Sequence, residues 1–268
     1  MKHSSFFKDK VAVITGSSMG IGKELARQIL INGGKVVLTG RDAARLEATK
    51  KEFEMYSGSL LIHKGDVSNF ELNQILINKT IERFGRLDIL ITNAGLSGYG
   101  EVEMLKPGVA RNIIDTNIYG TLFPIMTAIP ELKKNKGSVL LISSIAGFYG
   151  LPQYSSYSLS KMALKALAQS LRIELKSSGV FVGIAYLGFT KNEDDKKTFN
   201  PNGELENVPQ RPDRLTETRE KTALKILNQI INRKHSITHS ILGKLMAITS
   251  LFFPNIWFKV LSKKYYKK

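Results

Sequence analysis

The sequence contains no cysteine and only four histidines. The first absence excludes a disulfide framework, a thiolate metal site and a cysteine nucleophile, and it fits a reducing compartment. The second, with no histidine in a ligand-spaced cluster, argues against a metalloenzyme. Long apolar runs are also missing. The first ten residues, MKHSSFFKDK, carry nothing like the apolar core of a secretory leader. The longest apolar stretch, LMAITSLFFPNIWF at 245–258, is short for a bilayer span and is broken by Pro254 and Asn255. Acidic side chains are missing from the end of the chain: from Lys221 onward there are ten Lys or Arg and no Asp or Glu.

What is present is ordinary in bulk. The 268 residues are 43% hydrophobic and 23% charged, enough to bury the core of one large α/β domain or two small ones. The net charge of +16 is concentrated in the tail. There Leu251, Phe252, Phe253, Ile256, Trp257, Phe258, Val260 and Leu261 are interleaved with Lys259, Lys263, Lys264, Lys267 and Lys268. Such a segment suits anionic lipid or nucleic acid, or equally a terminal helix packed on its own domain with a solvated basic face.

Apolar, β-branched runs alternate with helical patterns. VAVIT (11–15), KVVLT (35–39), LLIH (60–63), DILIT (88–92), SVLLIS (138–143) and VFVGIAY (180–186) read as strands buried on both faces, with the first regular segment starting at Val11. Between them, GKELARQILING and SLSKMALKALAQSLRIELKSSG have helical spacing. The pattern predicts a single Rossmann-like, doubly wound α/β domain with a central parallel sheet, followed by a basic, apolar helical extension. The expected boundary puts the catalytic domain at 1–230 and the extension at 231–268. Residues 190–220 are polar, hold Pro201, Pro209 and Pro212, and follow a sheet strand. They read as a substrate lid, with a disordered excursion as the other reading.

The first strand runs into TGSSMGIGKEL, where Gly16, Gly20 and Gly22 precede a helix. A glycine turn there lets a pyrophosphate approach backbone amides at a helix N-terminus. At the end of the second strand, VVLTGRD places Gly40 where an acid would bind the ribose of NAD, and Arg41 next to it. Asp42 is one place too late for that role, so the pattern favours NADP(H). In YSSYSLSK, Tyr157 and Lys161 are four apart and share a helix face. Tyr154 has Ser158 at that spacing and no such partner.

Taken together these motifs resemble the short-chain dehydrogenase/reductase family over residues 9 to 190. TGSSMGIG is similar to its cofactor turn, and Asp66 in GDVSN to its adenine-side acid. Asn93-Ala94-Gly95 is similar to the motif after the fourth strand, with Thr92 in place of the usual asparagine. Asn117 in DTNIYG, a serine in ISSIAG, and YSLSK complete the set in the family's order. The resemblance implies cofactor contacts at Gly16, Ser18, Gly20, Ile21, Gly22, Arg41, Asp66, Val67, Asn93, Ala94, Gly95, Tyr157 and Lys161. Both Ser143 and Ser144 stand at a strand end; the family's spacing, thirteen residues before the tyrosine, selects Ser144.

The implied chemistry is hydride transfer to or from a carbonyl. Tyr157 would be the acid/base, although a free phenol has a pKa of about 10. Lys161, one turn away, would favour the tyrosinate and hold the nicotinamide ribose. Ser144 would orient the substrate oxygen with Tyr157, and Asn117 would hold a water linking Lys161 to solvent.

Two departures bear on substrate. Leu187-Gly188 replaces the common Pro-Gly, as in the branch with the 11β-hydroxysteroid dehydrogenases. The tail also extends beyond the last helix of the compact oxoacyl-carrier-protein reductases. It looks more like that of membrane-associated members, among them 3-ketodihydrosphingosine reductases.

The expectation is an NADP(H)-dependent oxidoreductase acting on a hydrophobic, lipid-like ketone or alcohol such as 3-ketosphinganine. A 3-oxoacyl or steroid-type dehydrogenase is the alternative within the family. Outside it stands a non-catalytic nucleotide-binding scaffold docked through the basic tail. A cytoplasmic location, a homodimer or homotetramer and contact with the cytoplasmic membrane face are expected, and no nucleic-acid partner.

Overall fold

In a computed structural model describing residues 2–209 and 211–266, the strand–helix alternation forms one sheet with helices on both faces. The elements run α1 (Lys2–Phe7), β1 (Val11–Ile14), α2 (Gly20–Ile31), β2 (Lys35–Gly40), α3 (Ala43–Glu52), β3 (Leu60–Lys64), α4 (Phe70–Phe84), β4 (Ile89–Thr92), α5 (Pro107–Ile114), α6 (Gly120–Lys134), β5 (Ser138–Ser144), α7 (Ser155–Glu174) and β6 (Phe181–Leu187). There follow β7 (Lys197–Phe199), β8 (Leu205–Asn207), α8 (Arg219–Ile231), β9 (Ser236–Thr238), α9 (Ile241–Phe252) and α10 (Pro254–Tyr265).

The sheet is parallel, in the order β3-β2-β1-β4-β5-β6-β9. Its two faces follow from the period of two along each strand. Ala12, Ile14, Val36 and Leu38 face the layer of α2, α3 and α8, where they meet Leu25, Ile29, Leu46, Ile226 and Ile230. Val13, Val37, Leu90 and Leu141 face α4, α6 and α7, where they meet Leu76, Ile125, Leu164 and Leu171. The apolar face of α7 therefore packs on the sheet.

Three local expectations change. A short helix precedes Val11, and its Phe7 is fully buried in the layer of α2 and α8. The boundary at 230 cuts the sheet, because β9 pairs in parallel with β6 through Ile184↔Ser236 to Tyr186↔Thr238. Three residues were too short for periodicity to register. Residues 190–220 contain an antiparallel β7–β8 hairpin fixed to the loop after β4: Phe199 N–H donates to Ser97 O (3.0 Å) and Tyr99 N–H to Phe199 O (3.0 Å).

The order reverses at β1, whose neighbours are β2 and β4. The crevice beyond the carboxyl ends of these strands is where a doubly wound sheet receives ligand.

Candidate active site

The glycine turn occupies this crevice, and its three glycines serve different purposes. A methyl group on Gly22 would lie 2.4 Å from Gly16 O and 2.5 Å from Asn93 Nδ2. One on Gly16 would lie 2.8 Å from Ala94 Cα. These two are required by the protein's own packing. Gly20, at φ +60°, has nothing within 4 Å of where its methyl would stand, so it alone borders open space. The N-cap residue of helix α2, Met19, supplies no side-chain cap, and an amide-lined turn of this kind fits a pyrophosphate. The Gly20 N–H donates to Glu193 Oε1 of the loop after β6 (2.8 Å).

We expect Gly22→Ala to lose about 1–3 kcal/mol of stability through overpacking. For Gly20→Ala the cost is the strain of its positive φ, about 1–2 kcal/mol, and the added methyl intrudes on the nucleotide space. Thermal melts beside nucleotide titration should find Gly20→Ala folded but binding poorly. Full nucleotide affinity in that variant would remove Gly20 from the site.

Asn93 is a brace beneath the turn: its Nδ2 donates to Thr15 O (3.0 Å) and Gly16 O (2.8 Å). Thr15 Oγ1 accepts from the amides of Asn93 and Ala94, both at 3.0 Å. The Asn93 amide thus shapes the turn from within the protein. Thr92 is buried with its hydroxyl unpartnered. Ile21 packs against the core layer, and Ser18 O accepts from Thr49 Oγ1 (3.0 Å).

At the ends of β2 and β3, Arg41 lies 3.8 Å from Asp66. Burial raises the Asp66 carboxyl, but bonds from Ser68 and the charge of Arg41 outweigh it and hold it below its ordinary value. Val67 is buried beside it. Asp42 caps α3 by accepting from Arg45 N (3.0 Å).

Beyond β4 and β5 the four residues of the expected tetrad converge. Ser144 ends β5, its hydroxyl near enough to Tyr157 on α7 to favour the tyrosinate. Ser143, one residue earlier, is buried and donates to Lys161 O (3.0 Å), so it fastens α7 to the strand. Lys161 is 5% exposed; its Nζ donates to Ile142 O (3.0 Å) and lies 5.8 Å from the centre of the Tyr157 ring. Asn117 sits in a π turn between α5 and α6, fully buried. Its Nδ2 donates to Leu96 O (3.0 Å) and Ser160 Oγ (2.9 Å), and its Oδ1 accepts from Leu96 N (2.7 Å). Both N–H groups of the amide are spent on joining the post-β4 loop to α7. Gly95 makes room for this: a methyl there would stand 3.2 Å from Asn117 Oδ1 and 3.4 Å from Lys161 Nζ.

The electrostatics differ from the expectation drawn from spacing alone. Burial dominates at Tyr157 and pushes its phenol up; the Ser144 hydroxyl and the charge of Arg211 oppose this without reversing it. Lys161 is pulled down to about 8, by burial first and by the charge of Lys196 second. Arg211, stacked on Phe189 with its guanidinium carbon 3.6 Å from the ring centre, was not recognised from sequence, and neither were Glu193 and Lys196. All three lie in the 190–220 segment, whose fold no periodicity announces. Tyr154 precedes α7 and is one-third exposed, also near Arg211.

The extension packs on the segment after β5 and the loop after β6. A methyl on Gly188 would lie 2.7 Å from Ser240, the N-cap of α9. Met246 and Trp257 are buried against Ile145, Phe148, Tyr149 and Phe189. Trp257 therefore belongs to the inner face, and its Nε1 donates to Thr249 Oγ1 (2.6 Å). The Tyr265 hydroxyl reaches Glu101 of the loop after β4. On the outer face Leu251, Phe252 and Phe258 are 70%, 68% and 64% exposed. Among the described residues no single helix is long and apolar enough to cross a bilayer; residues 241–252 and 254–263 reach that length only as a pair bent by 119°. Lys267 and Lys268 lie outside the described residues.

Residues 10–202 match the family model for short chain dehydrogenases. The chain is 36% identical over 198 residues to the 11-beta-hydroxysteroid dehydrogenase-like 4A of Arabidopsis thaliana, covering 71% of this chain and 64% of that one. It thus spans less than two thirds of that plant relative. It is 29% identical to dehydrogenase/reductase SDR family member 7B of Xenopus laevis, across 100% of this chain and 85% of that one. Among solved structures, a short-chain dehydrogenase of Streptomyces avermitilis shares the fold with a TM-score of 0.80 at 24% identity, over 94% and 96% of the two chains. An alcohol dehydrogenase of the archaeon Thermococcus sibiricus, complexed with 5-hydroxy-NADP, matches with a TM-score of 0.74 at 25% identity over 85% and 95%.

Proposed function

Because this chain belongs to the short-chain dehydrogenase family, we propose that it is an NADP(H)-dependent oxidoreductase that reduces a hydrophobic ketone at a membrane surface. The observation that carries the reading is the meeting of Ser144, Tyr157 and Lys161 beside the open glycine turn. The cofactor would lie with its pyrophosphate over Gly20, its adenine near Asp66 and Val67, and its 2′-phosphate on Arg41. When bound, its nicotinamide supplies the hydride.

The residues of the chain handle the oxygen. The hydroxyls of Ser144 and Tyr157 bind the substrate carbonyl, and Tyr157 gives it a proton as alkoxide character develops. Burial keeps Tyr157 protonated at neutral pH, the state a reductase needs. Lys161, with a pKa of about 8, stands close enough to return a proton to Tyr157 by way of water. Asn117 is a positioning residue that fixes the post-β4 loop against α7.

The lipid-like substrate rests on the extension. Its inner face packs on Ile145, directly after Ser144, and its outer face is apolar with lysines and no acid, suited to an anionic leaflet. A homo-oligomer is part of the reading, since Tyr119, Met126, Leu159 and Ile173 remain exposed on and before α6 and α7.

The test is NADPH oxidation with 3-ketosphinganine in anionic vesicles, beside a steroid ketone and a short soluble 3-ketoester. NADH serves as the second reductant and Arg41→Ala as the variant. Turnover is expected with a lipophilic ketone and NADPH, and Arg41→Ala should weaken NADPH about tenfold while sparing NADH, the loss of one charge-assisted pair. Turnover of the short ester alone would sink the lipid reading. Equal use of NADH and NADPH by the wild type would sink the cofactor preference.

A further inference from the structure

The loop after β6 carries the acidic run Glu193-Asp194-Asp195, and two of its carboxylates lie on the groups that the reading above assigns to cofactor phosphates or places beside them. Glu193 Oε1 accepts from the Gly20 amide at 2.8 Å, in the one part of the glycine turn that borders open space. Arg219 on α8 braces the same oxygen at 3.1 Å. Asp195 Oδ2 lies 2.7 Å from the Arg45 guanidinium, in the first turn of α3 and four residues after Arg41. The run is held at both ends. Lys191 N–H donates to Glu217 O (2.9 Å), and Lys196 O accepts from Val208 N (2.8 Å).

A carboxylate and a phosphate are both oxyanions that accept from backbone N–H groups at a helix N-terminus and from guanidinium forks. One Gly20 N–H cannot serve both as a full donor, and two anions at that spot repel. We propose that Glu193 and Asp195 are an internal occupant of the cofactor's phosphate sites, displaced when the dinucleotide binds, and that Arg45, once released, joins Arg41 in reading the 2′-phosphate. The proposal rests on the NADP(H) reading of the crevice. It adds a coupling: Lys196, whose charge bears on Lys161, follows Asp195 directly, so displacement of the run alters the surroundings of the proton-handling lysine. Cofactor binding thereby rearranges the substrate loop.

Calorimetric titration of the full chain with 2′,5′-ADP and with 5′-ADP tests this without turnover. If the closed arrangement leaves about one third to one tenth of molecules competent, affinity is reduced by that fraction. Glu193→Gln is then expected to tighten both ligands about three- to tenfold. Asp195→Asn, which leaves the Arg219 brace in place, should tighten 2′,5′-ADP and leave 5′-ADP unchanged. Arg45→Ala should weaken 2′,5′-ADP selectively. Adding 2′,5′-ADP to the wild type should also quicken tryptic cleavage after Lys196 or Lys197. Unchanged or weaker binding in both carboxylate variants, with the wild type binding normally, would overturn the internal-occupant proposal alone. A wild type that binds neither nucleotide would overturn the cofactor reading together with it.

Discussion

Tyr157→Phe is expected to lower kcat with any accepted ketone by two to four orders of magnitude, the usual contribution of a positioned general acid, while the Kd for NADPH stays within about twofold of wild type. The phenol is part-buried, close to Ser144, and kept protonated by desolvation. Removing one oxygen deletes the proton donor but keeps the ring in place on α7. Ser144→Ala should cost less, about a hundredfold, because Tyr157 still holds the carbonyl oxygen. Single-turnover measurements with saturating NADPH separate these losses from changes in binding. Turnover within a few-fold of wild type in Tyr157→Phe would remove the tyrosine from the chemistry and revive the scaffold reading.

The second large effect joins function to stability. Lys161 is 5% exposed and titrates at about 8 instead of its ordinary 10.5. Below pH 8 it is charged in both the folded and the unfolded chain, and the folded state bears the full cost of the buried cation. Between about 8 and 10.5 the unfolded chain holds more protons than the folded one, so stability rises with pH through that window. The drop from 10.5 to about 8 corresponds to a cost on the order of 3 kcal/mol, offset by about 1 kcal/mol from the bond to Ile142 O.

Lys161→Met should therefore abolish most turnover, yet melt higher at pH 7 by about 4–8 °C, the shift that ~2 kcal/mol gives in a domain of this size. That advantage should fade as pH approaches 10. Melting curves of both proteins from pH 7 to 10 decide it. Equal melting at pH 7 with parallel pH slopes would mean that Lys161 carries no buried-charge cost. A stabilised but inactive variant is what a residue kept for function at the expense of the fold produces.

The glycine turn shows how far the sequence could be read. Its spacing after a buried strand identified a nucleotide turn, because the need for open backbone at a helix N-terminus is local. It could not say that Gly16 and Gly22 are required by Ala94 and Asn93, or that only Gly20 borders open space, since those neighbours lie more than 70 residues away. The pairing of Tyr157 with Lys161 was legible as a helix-face relation. Its electrostatics were not, because burial outweighs the short distance: Tyr157 is raised, and Lys161 turns to a carbonyl of β5. The tail was legible as apolar and basic, but only packing sorted Trp257 to the inside and Phe258 to the outside.

By itself, then, the sequence determined the elements and the residue types of the site. Strand period, helix spacing, glycine turns and the Tyr157–Lys161 step are all written within a few residues of one another. The tertiary structure decided which groups meet across the chain. Glu193 reaches Gly20 from 173 positions away, β9 completes the sheet with three residues too few to show a period, and Lys161 owes its altered proton affinity to the packing around it. Contacts of this kind depend on where the layers bring distant segments together, and no local pattern encodes that.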